Sequence, residues 1–94
     1  MNEKARELQA RTQRFATAVI KFCDTLPNHP AVRVIVDQLL DAATSTDSNY
    51  RVTCRAKSPD DFISKIATAA EEADESKGWL EQLVASNFTT LDTA

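Results

Sequence analysis

Four carboxylates crowd one short stretch of the chain, Glu71-Glu-Ala-Asp-Glu75. Clustered carboxylates could bind a metal or act as a general acid and base. A di-iron site in a helical bundle also needs histidines, supplied by Glu-x-x-His pairs that project inward. The single histidine, His29, stands in a predicted turn beside Pro30, and the sequence shows neither a second carboxylate cluster, a Gly-rich phosphate loop nor a nucleophile beside a base. We therefore expect no catalytic residue, no metal, no cofactor and no small-molecule substrate.

A second group that could do chemistry is basic. Antiparallel packing of the first two helical segments would bring five cations to one end of the molecule: Lys4, Arg11, Arg51, Arg55 and Lys57. Such a patch can bind the phosphates of RNA or DNA. The net charge of −3, the sequence pI of about 5.0 and the presence of only one Trp and one Tyr favour a solvated, salt-bridged face instead. Both interpretations stay open.

The two charge signs are unevenly distributed along the chain. Residues 1–57 carry a net charge of +3 and residues 58–94 carry −6. An asymmetry of this kind marks a binding face or the complementary surfaces of packed helices.

Composition indicates one soluble, globular domain over residues 1–94. The chain is 43% apolar and 27% charged, with one Gly and three Pro, which argues against a turn-rich all-β fold. No apolar run approaches the roughly 18 residues of a membrane span, and the N-terminus lacks a signal peptide, so we expect a cytoplasmic protein without membrane contact. We expect Cys23 and Cys54 to be reduced, because the predicted helices hold them roughly 30 Å apart.

Apolar residues recur at helical spacing in three segments, which predicts helices over about 3–26, 30–56 and 59–86 and a tail over 87–94. Pro30 suits the first turn of the second helix, and Ser58-Pro59 suits the start of the third. The polar run 44–49 could be a loop, but the apolar seam keeps its phase across it and favours one helix. Three long helices with tight turns must run up, down and up. A single layer of three would bury their apolar stripes only partly.

Several motifs together resemble one protein family. They are Gln38-Leu39, a Ser and an Asn four residues apart, Ser58-x-x-x-Phe62, Glu72-x-x-Glu75 and Trp79-Leu80. Over about residues 8–84 the chain resembles the bacterial four-helix-bundle proteins encoded by intervening sequences of 23S ribosomal RNA genes. The resemblance implies an all-α, up-and-down antiparallel bundle of the four-helix type, with the C-terminal helix missing here, and a homo-oligomer, specifically a pentameric ring. The residues it carries over as an assembly surface or polar network are Ser45, Asn49, Glu72, Glu75 and Trp79.

Two positions depart from that family pattern. Asp41 stands where relatives commonly have Arg, and Val52 stands where they commonly have Glu. On a helical wheel both lie opposite the seam of the second helix, so they should affect assembly or partner contacts and leave the fold intact. A related group, accessory proteins of diversity-generating retroelements, forms basic pentamers that bind nucleic acid and a reverse transcriptase. This acidic chain differs from them in charge.

These observations predict a non-enzymatic, self-assembling interaction or scaffold protein, with an RNA- or DNA-binding accessory protein as the alternative. Without a fourth helix, an apolar groove should remain. Its expected lining is Phe15, Val19, Leu80, Leu83 and Val84. Another protomer or the C-terminal segment around Phe88 and Leu91 could cover it, or it could stay open. Whether the chain is a truncation or a natural short product is left open by the sequence.

Overall fold

The computed structural model describes residues 2–90, and this part of the chain is all-helical, with three helices and no strand. The helices are α1 (Glu3–Cys23), α2 (Pro30–Thr53) and α3 (Pro59–Ala85). α1 and α2 end before the predicted positions because their last turns tighten. The N–H of Leu26 donates to the carbonyl of Cys23, for example, so the chain has left α-helical pairing before it reaches Pro27.

Side chains satisfy the free N–H groups at the start of each helix. The Oδ1 of Asn2 accepts from the N–H of Ala5 at 2.8 Å, and the Oγ of Ser58 accepts from the N–H of Asp61 at 3.0 Å. Ser58 was predicted as a cap. The cap of α2 was not, because the Nδ1 of His29 accepts from the N–H of Ala31 at 3.1 Å and histidine is an unusual residue in this role.

α2 continues without a break through the polar run 44–49. The hydroxyls in this run donate to carbonyls of the preceding turn, Thr44 to Leu40 at 2.7 Å and Thr46 to Ala42 at 2.8 Å. Such side chains destabilise helices when they compete for the backbone N–H groups. Here they donate to carbonyls that the helix already pairs, so the backbone ladder stays intact.

The end of α3 is closed by a backbone motif that the sequence analysis missed. Asn87 takes a left-handed conformation with φ 62°, and the N–H of Phe88 donates to the carbonyl of Leu83 at 3.0 Å. This is the hydrogen-bond pattern of a Schellman cap, in which Asn substitutes for the usual Gly. The reversal lays Phe88 on the core and against the ring of His29, with the ring centroids 4.9 Å apart. The end of α3 is thereby tied to the start of α2. Leu91 and the rest of the predicted tail lie outside the described residues.

α2 is the central helix, since its backbone packs closely on both α1 and α3, whereas over residues 2–90 no Cα atom of α1 lies within 8 Å of a Cα atom of α3. The core forms where the three helices converge on Leu39 and Ala43. The predicted groove lining is therefore partly wrong. Val19 and Leu83 are 4% and 0% exposed because they pack on Leu39 and Ala43. The other three predicted lining residues, Phe15, Leu80 and Val84, are half-buried.

Candidate functional site

The acidic stretch of α3 places its side chains on different sides of the helix. Glu72 is half-buried and Glu75 is exposed. The indole Nε1 of Trp79 donates to Glu75 Oε1 at 3.4 Å, which is a long bond within one helix. This bond is local to α3, and a role of Glu72, Glu75 and Trp79 in assembly stays a prediction. Among the described residues no group of three or more His, Cys, Asp or Glu side chains is arranged to hold a metal ion.

The serine and asparagine of the proposed polar network lie on α2, and both Ser45 and Asn49 are half-buried. Their backbone carbonyls accept from hydroxyls one turn later, that of Ser45 from Ser48 at 3.3 Å and that of Asn49 from Thr53 at 2.9 Å. Within residues 2–90 no hydrogen bond joins Ser45 or Asn49 to the acidic stretch of α3. An assembly role for these residues stays a prediction.

The two positions that depart from the family pattern lie at the surface of α2. Asp41 is exposed and Val52 is 43% exposed. Neither takes part in the core. Their substitution therefore alters a surface, as the helical wheel predicted.

Four of the five basic residues, Lys4, Arg51, Arg55 and Lys57, lie where the ends of all three helices meet, whereas Arg11 lies near the middle of α1. A shallow cavity of about 330 Å³ at that end is lined by Asn2, which caps α1, by Ala5 of α1, by Cys54 after α2, and by Pro59 of α3, among others. Lys4, Arg11, Arg55 and Lys57 are exposed, and in the described part of the chain none of them forms an ion pair. Arg51 does, since its Nε lies 3.4 Å from Asp47 Oδ2.

Asp47 also joins two helices, which the sequence analysis did not foresee. Its Oδ1 accepts from the hydroxyl of Thr12 at 2.9 Å while its Oδ2 faces Arg51. Asp47 thus links the middle of α1 to the later half of α2. The only hint in the sequence is that Asp47 directly follows Thr46, a residue that lies on the buried side of α2.

Within residues 2–90 the pKa values of Cys23, Tyr50 and Asp61 are shifted in directions that leave each group in its ordinary charge state at neutral pH. Burial, reinforced by the charge of Asp24, raises the pKa of Cys23, so its thiol is protonated and a poor nucleophile. Burial and the neighbouring Cys54 raise the pKa of Tyr50. The hydrogen bond from Lys65 lowers the pKa of Asp61, with Lys65 Nζ 2.7 Å from Asp61 Oδ2. Both cysteines are free.

Comparison with known proteins identifies the family. The family model described as 23S rRNA-intervening sequence protein matches residues 4–94, nearly the whole chain. No curated protein and no solved structure matches significantly. No helix in the described part of the chain is long and apolar enough to cross a bilayer. The match covers the core residues of all three helices together with the motifs on α2 and α3, and the chain belongs to the 23S rRNA-intervening sequence protein family.

Proposed function

We propose that this chain is a non-enzymatic, cytoplasmic protein that assembles with copies of itself and acts as an interaction module. Its surface supports the proposal. The accessible surface is 6604 Å², against about 5,400 Å² for a compact monomer of its mass. The radius of gyration is 14.8 Å, against about 12.4 Å for a compact domain of this length. A chain that leaves this much surface uncovered gains stability from a partner.

The observation that carries the proposal is that the backbones of α1 and α3 stay apart in the described chain, with no Cα atoms of the two helices within 8 Å of each other. α1 and α3 each bury one side on α2, and apolar side chains next to that buried side remain exposed to water. Leu8 of α1 is 44% exposed, while Phe62 and Ile63 of α3 are 47% and 63% exposed. We propose that the three helices form an up-and-down bundle of the four-helix type with an open side, and that other protomers cover exposed apolar surface in a pentameric ring.

Sedimentation velocity at micromolar concentration tests this proposal. We expect a species several times the mass of the 10.4 kDa chain, five times that mass for the pentamer. Its unfolding temperature should rise with protein concentration, because association stabilises the folded state by mass action. A monomer with a sharp unfolding transition that does not depend on concentration would contradict self-assembly.

We propose nucleic-acid binding as a second candidate function, supported by three exposed cations at one end of the molecule, Lys4, Arg55 and Lys57, which form no ion pair in the described chain. Neighbours of Lys4, Arg55 and Lys57 line one cavity there, so these cations belong to a common surface. Asp60 and Asp61 lie at the same end and reduce its positive potential. This surface therefore suits weak contacts with phosphates better than recognition of a base sequence.

Filter binding across a salt series tests this second candidate. Each phosphate contact should contribute a slope of about −0.9 on duplex DNA, or about −0.7 on a single strand, to log K against log salt. Replacing Arg55 and Lys57 together by Ala should make that slope less negative, by up to about the contribution of two phosphate contacts. Replacing the exposed Arg33 of α2 by Ala is the control and should leave the slope unchanged. Absence of binding at low salt would end this hypothesis.

A further inference from the structure

The exposed side of α1 carries an unusual line of charge. Four residues recur at i, i+3, i+7 and i+10, which places them along one stripe of a helix. They are Arg11, Arg14, Ala18 and Lys21, and all four are exposed. Residues 8–23 contain no carboxylate, and these three cations make no ion pair within the described chain. This line, the α1 stripe, points away from α2, since the buried positions Ala16 and Val19 lie on the other side.

The exposed side of α3 carries the same spacing with the opposite charge. Its members are Glu71, Asp74, Gly78 and Glu81, all exposed. None of its carboxylates forms an ion pair over residues 2–90. This line, the α3 stripe, also points away from α2, because Ser76 and Leu83 are the residues that α3 buries. A Cβ placed on Gly78 would have no atom within 4 Å, so the backbone is open to a neighbour at this point.

The two stripes match only when the helices run in the same direction. In a parallel pair the three cations meet the three anions, and the two small residues meet each other. The pairs are Arg11–Glu71, Arg14–Asp74, Lys21–Glu81 and Ala18–Gly78. An antiparallel pair in the same register would instead place Arg14 opposite Gly78 and Asp74 opposite Ala18. One of the three ion pairs would then be lost, and the two small residues would no longer meet to let the backbones approach closely.

The fold already sets both helices in that common direction. The first residues of α1 and of α3 line the same cavity, so the two helices start at the same end of the molecule. Within one protomer the backbones of the two helices stay apart, with no Cα atoms within 8 Å of each other in the described chain, and both stripes point away from α2. The α1 stripe can therefore meet an α3 stripe only on another molecule.

We propose that the α1 stripe of one copy packs in parallel on the α3 stripe of a second copy. The inference rests on the self-assembly proposed above and names its surface. Because the two stripes differ, the contact is heterologous and leaves one free stripe of each kind, so further copies add until a ring closes. Exposed ion pairs are worth little singly and act mainly on orientation and partner choice. Affinity comes from the apolar margin of the α3 stripe, where Leu80 and Val84 line a shallow cavity of about 560 Å³.

Charge reversal tests the contact. In Arg14→Glu and in Asp74→Lys, the central pair becomes repulsive, and we expect each variant to associate about fivefold more weakly in sedimentation at low salt. An equimolar mixture of the two variants restores an opposite-charge pair at every contact between unlike copies. It should regain most of the wild-type association, which a folding defect could not produce. Arg55→Glu changes the net charge as Arg14→Glu does, lies outside both stripes, and should associate like the wild type.

The outcomes separate this inference from the function on which it rests. A wild-type chain that stays monomeric overturns both. A wild-type chain that assembles, with both stripe variants behaving like Arg55→Glu, overturns the stripe contact and leaves self-assembly standing. Two weakened variants whose mixture stays weak also overturn it, because complementary charges would then not be the cause. Far-ultraviolet circular dichroism of each variant verifies its helix content.

Discussion

The bond between Thr12 and Asp47 is the one side-chain hydrogen bond between different helices within residues 2–90. We predict that Asp47→Ala destabilises the chain by about 1–2 kcal/mol. A hydrogen bond to a charged group contributes about 1.5–3 kcal/mol. The low end applies, because the Thr12 hydroxyl also lies 3.0 Å from the carbonyl of Gln9 and keeps a partner. Losing the ion pair with Arg51 adds about 0.4 kcal/mol, and the better helix propensity of Ala returns about 0.6 kcal/mol.

Urea unfolding followed by circular dichroism at one fixed protein concentration measures this change. In thermal unfolding of the same samples, the midpoint temperature should fall by about 4–8 °C for each kcal/mol of stability lost, as expected for a domain of this size. Asp41→Ala is the matched control, since it is the same substitution in the same helix at an exposed position whose side chain takes part in no described hydrogen bond. It should be neutral or slightly stabilising.

A double-mutant cycle with Thr12→Val isolates the bond between the helices. If Thr12 and Asp47 interact as the structure shows, the double variant should lose less stability than the two single losses together, by at least about 0.5 kcal/mol. Equal effects of Asp47→Ala and Asp41→Ala, or strictly additive losses in the cycle, would refute the reasoning that Asp47 holds α1 on α2.

Three further predictions concern single positions. Gly78→Ala should raise the unfolding free energy of the dilute, dissociated chain by about 1 kcal/mol, because its methyl meets no atom within 4 Å; a lower urea midpoint would contradict the open space. Lys65 lowers the pKa of Asp61 in the folded state, so this carboxylate contributes stability above its unfolded pKa that is lost as pH falls through the folded pKa. Asp61→Asn should therefore lose less stability than the wild type between pH 7 and pH 3, and parallel urea midpoints would count against it. Phe88→Ala should cost about 2 kcal/mol, roughly half the value for a fully buried Phe, whereas His29→Asn keeps a capping acceptor, loses only the ring contact with Phe88 and should cost less; equal losses would contradict the packing of Phe88 on the core as the main contribution.

Patterns local to one helix were predictable, because their causes lie within a few residues. The helix starts at Pro30 and Pro59 follow from the fixed φ of proline and the capping side chain at Ser58. The continuity of α2 through 44–49 follows from the phase of its apolar seam. The cap by His29 was missed because histidine is seldom a capping residue, although its backbone here is an ordinary extended one. The Schellman turn was missed because Asn87 takes a left-handed conformation that asparagine adopts only in a minority of cases.

Contacts between helices were less predictable, since they depend on the rotation of each helix about its axis. The periodicity of α1 and α3 marks a broad apolar stripe on each, and that stripe includes both Val19 and Phe15. Only packing on α2 decided that Val19 is buried and Phe15 half-buried. Trp79 likewise packs against the core that the three helices share, while its Nε1–H donates to Glu75 of its own helix.

The sequence by itself determined the all-helical class, the three helices and the family, because periodicity, caps and motif order are properties of residues near one another in the chain. The tertiary structure alone decided that α2 is central and that, within residues 2–90, the backbones of α1 and α3 stay more than 8 Å apart. It also brought Asp47 to Thr12 across 35 positions of sequence. Charged residues at matching spacing on α1 and α3 were present in the sequence throughout. Only the fold shows that these residues form two outward stripes on helices that run in the same direction, because packing between helices sets both the direction of each helix and the side that it exposes.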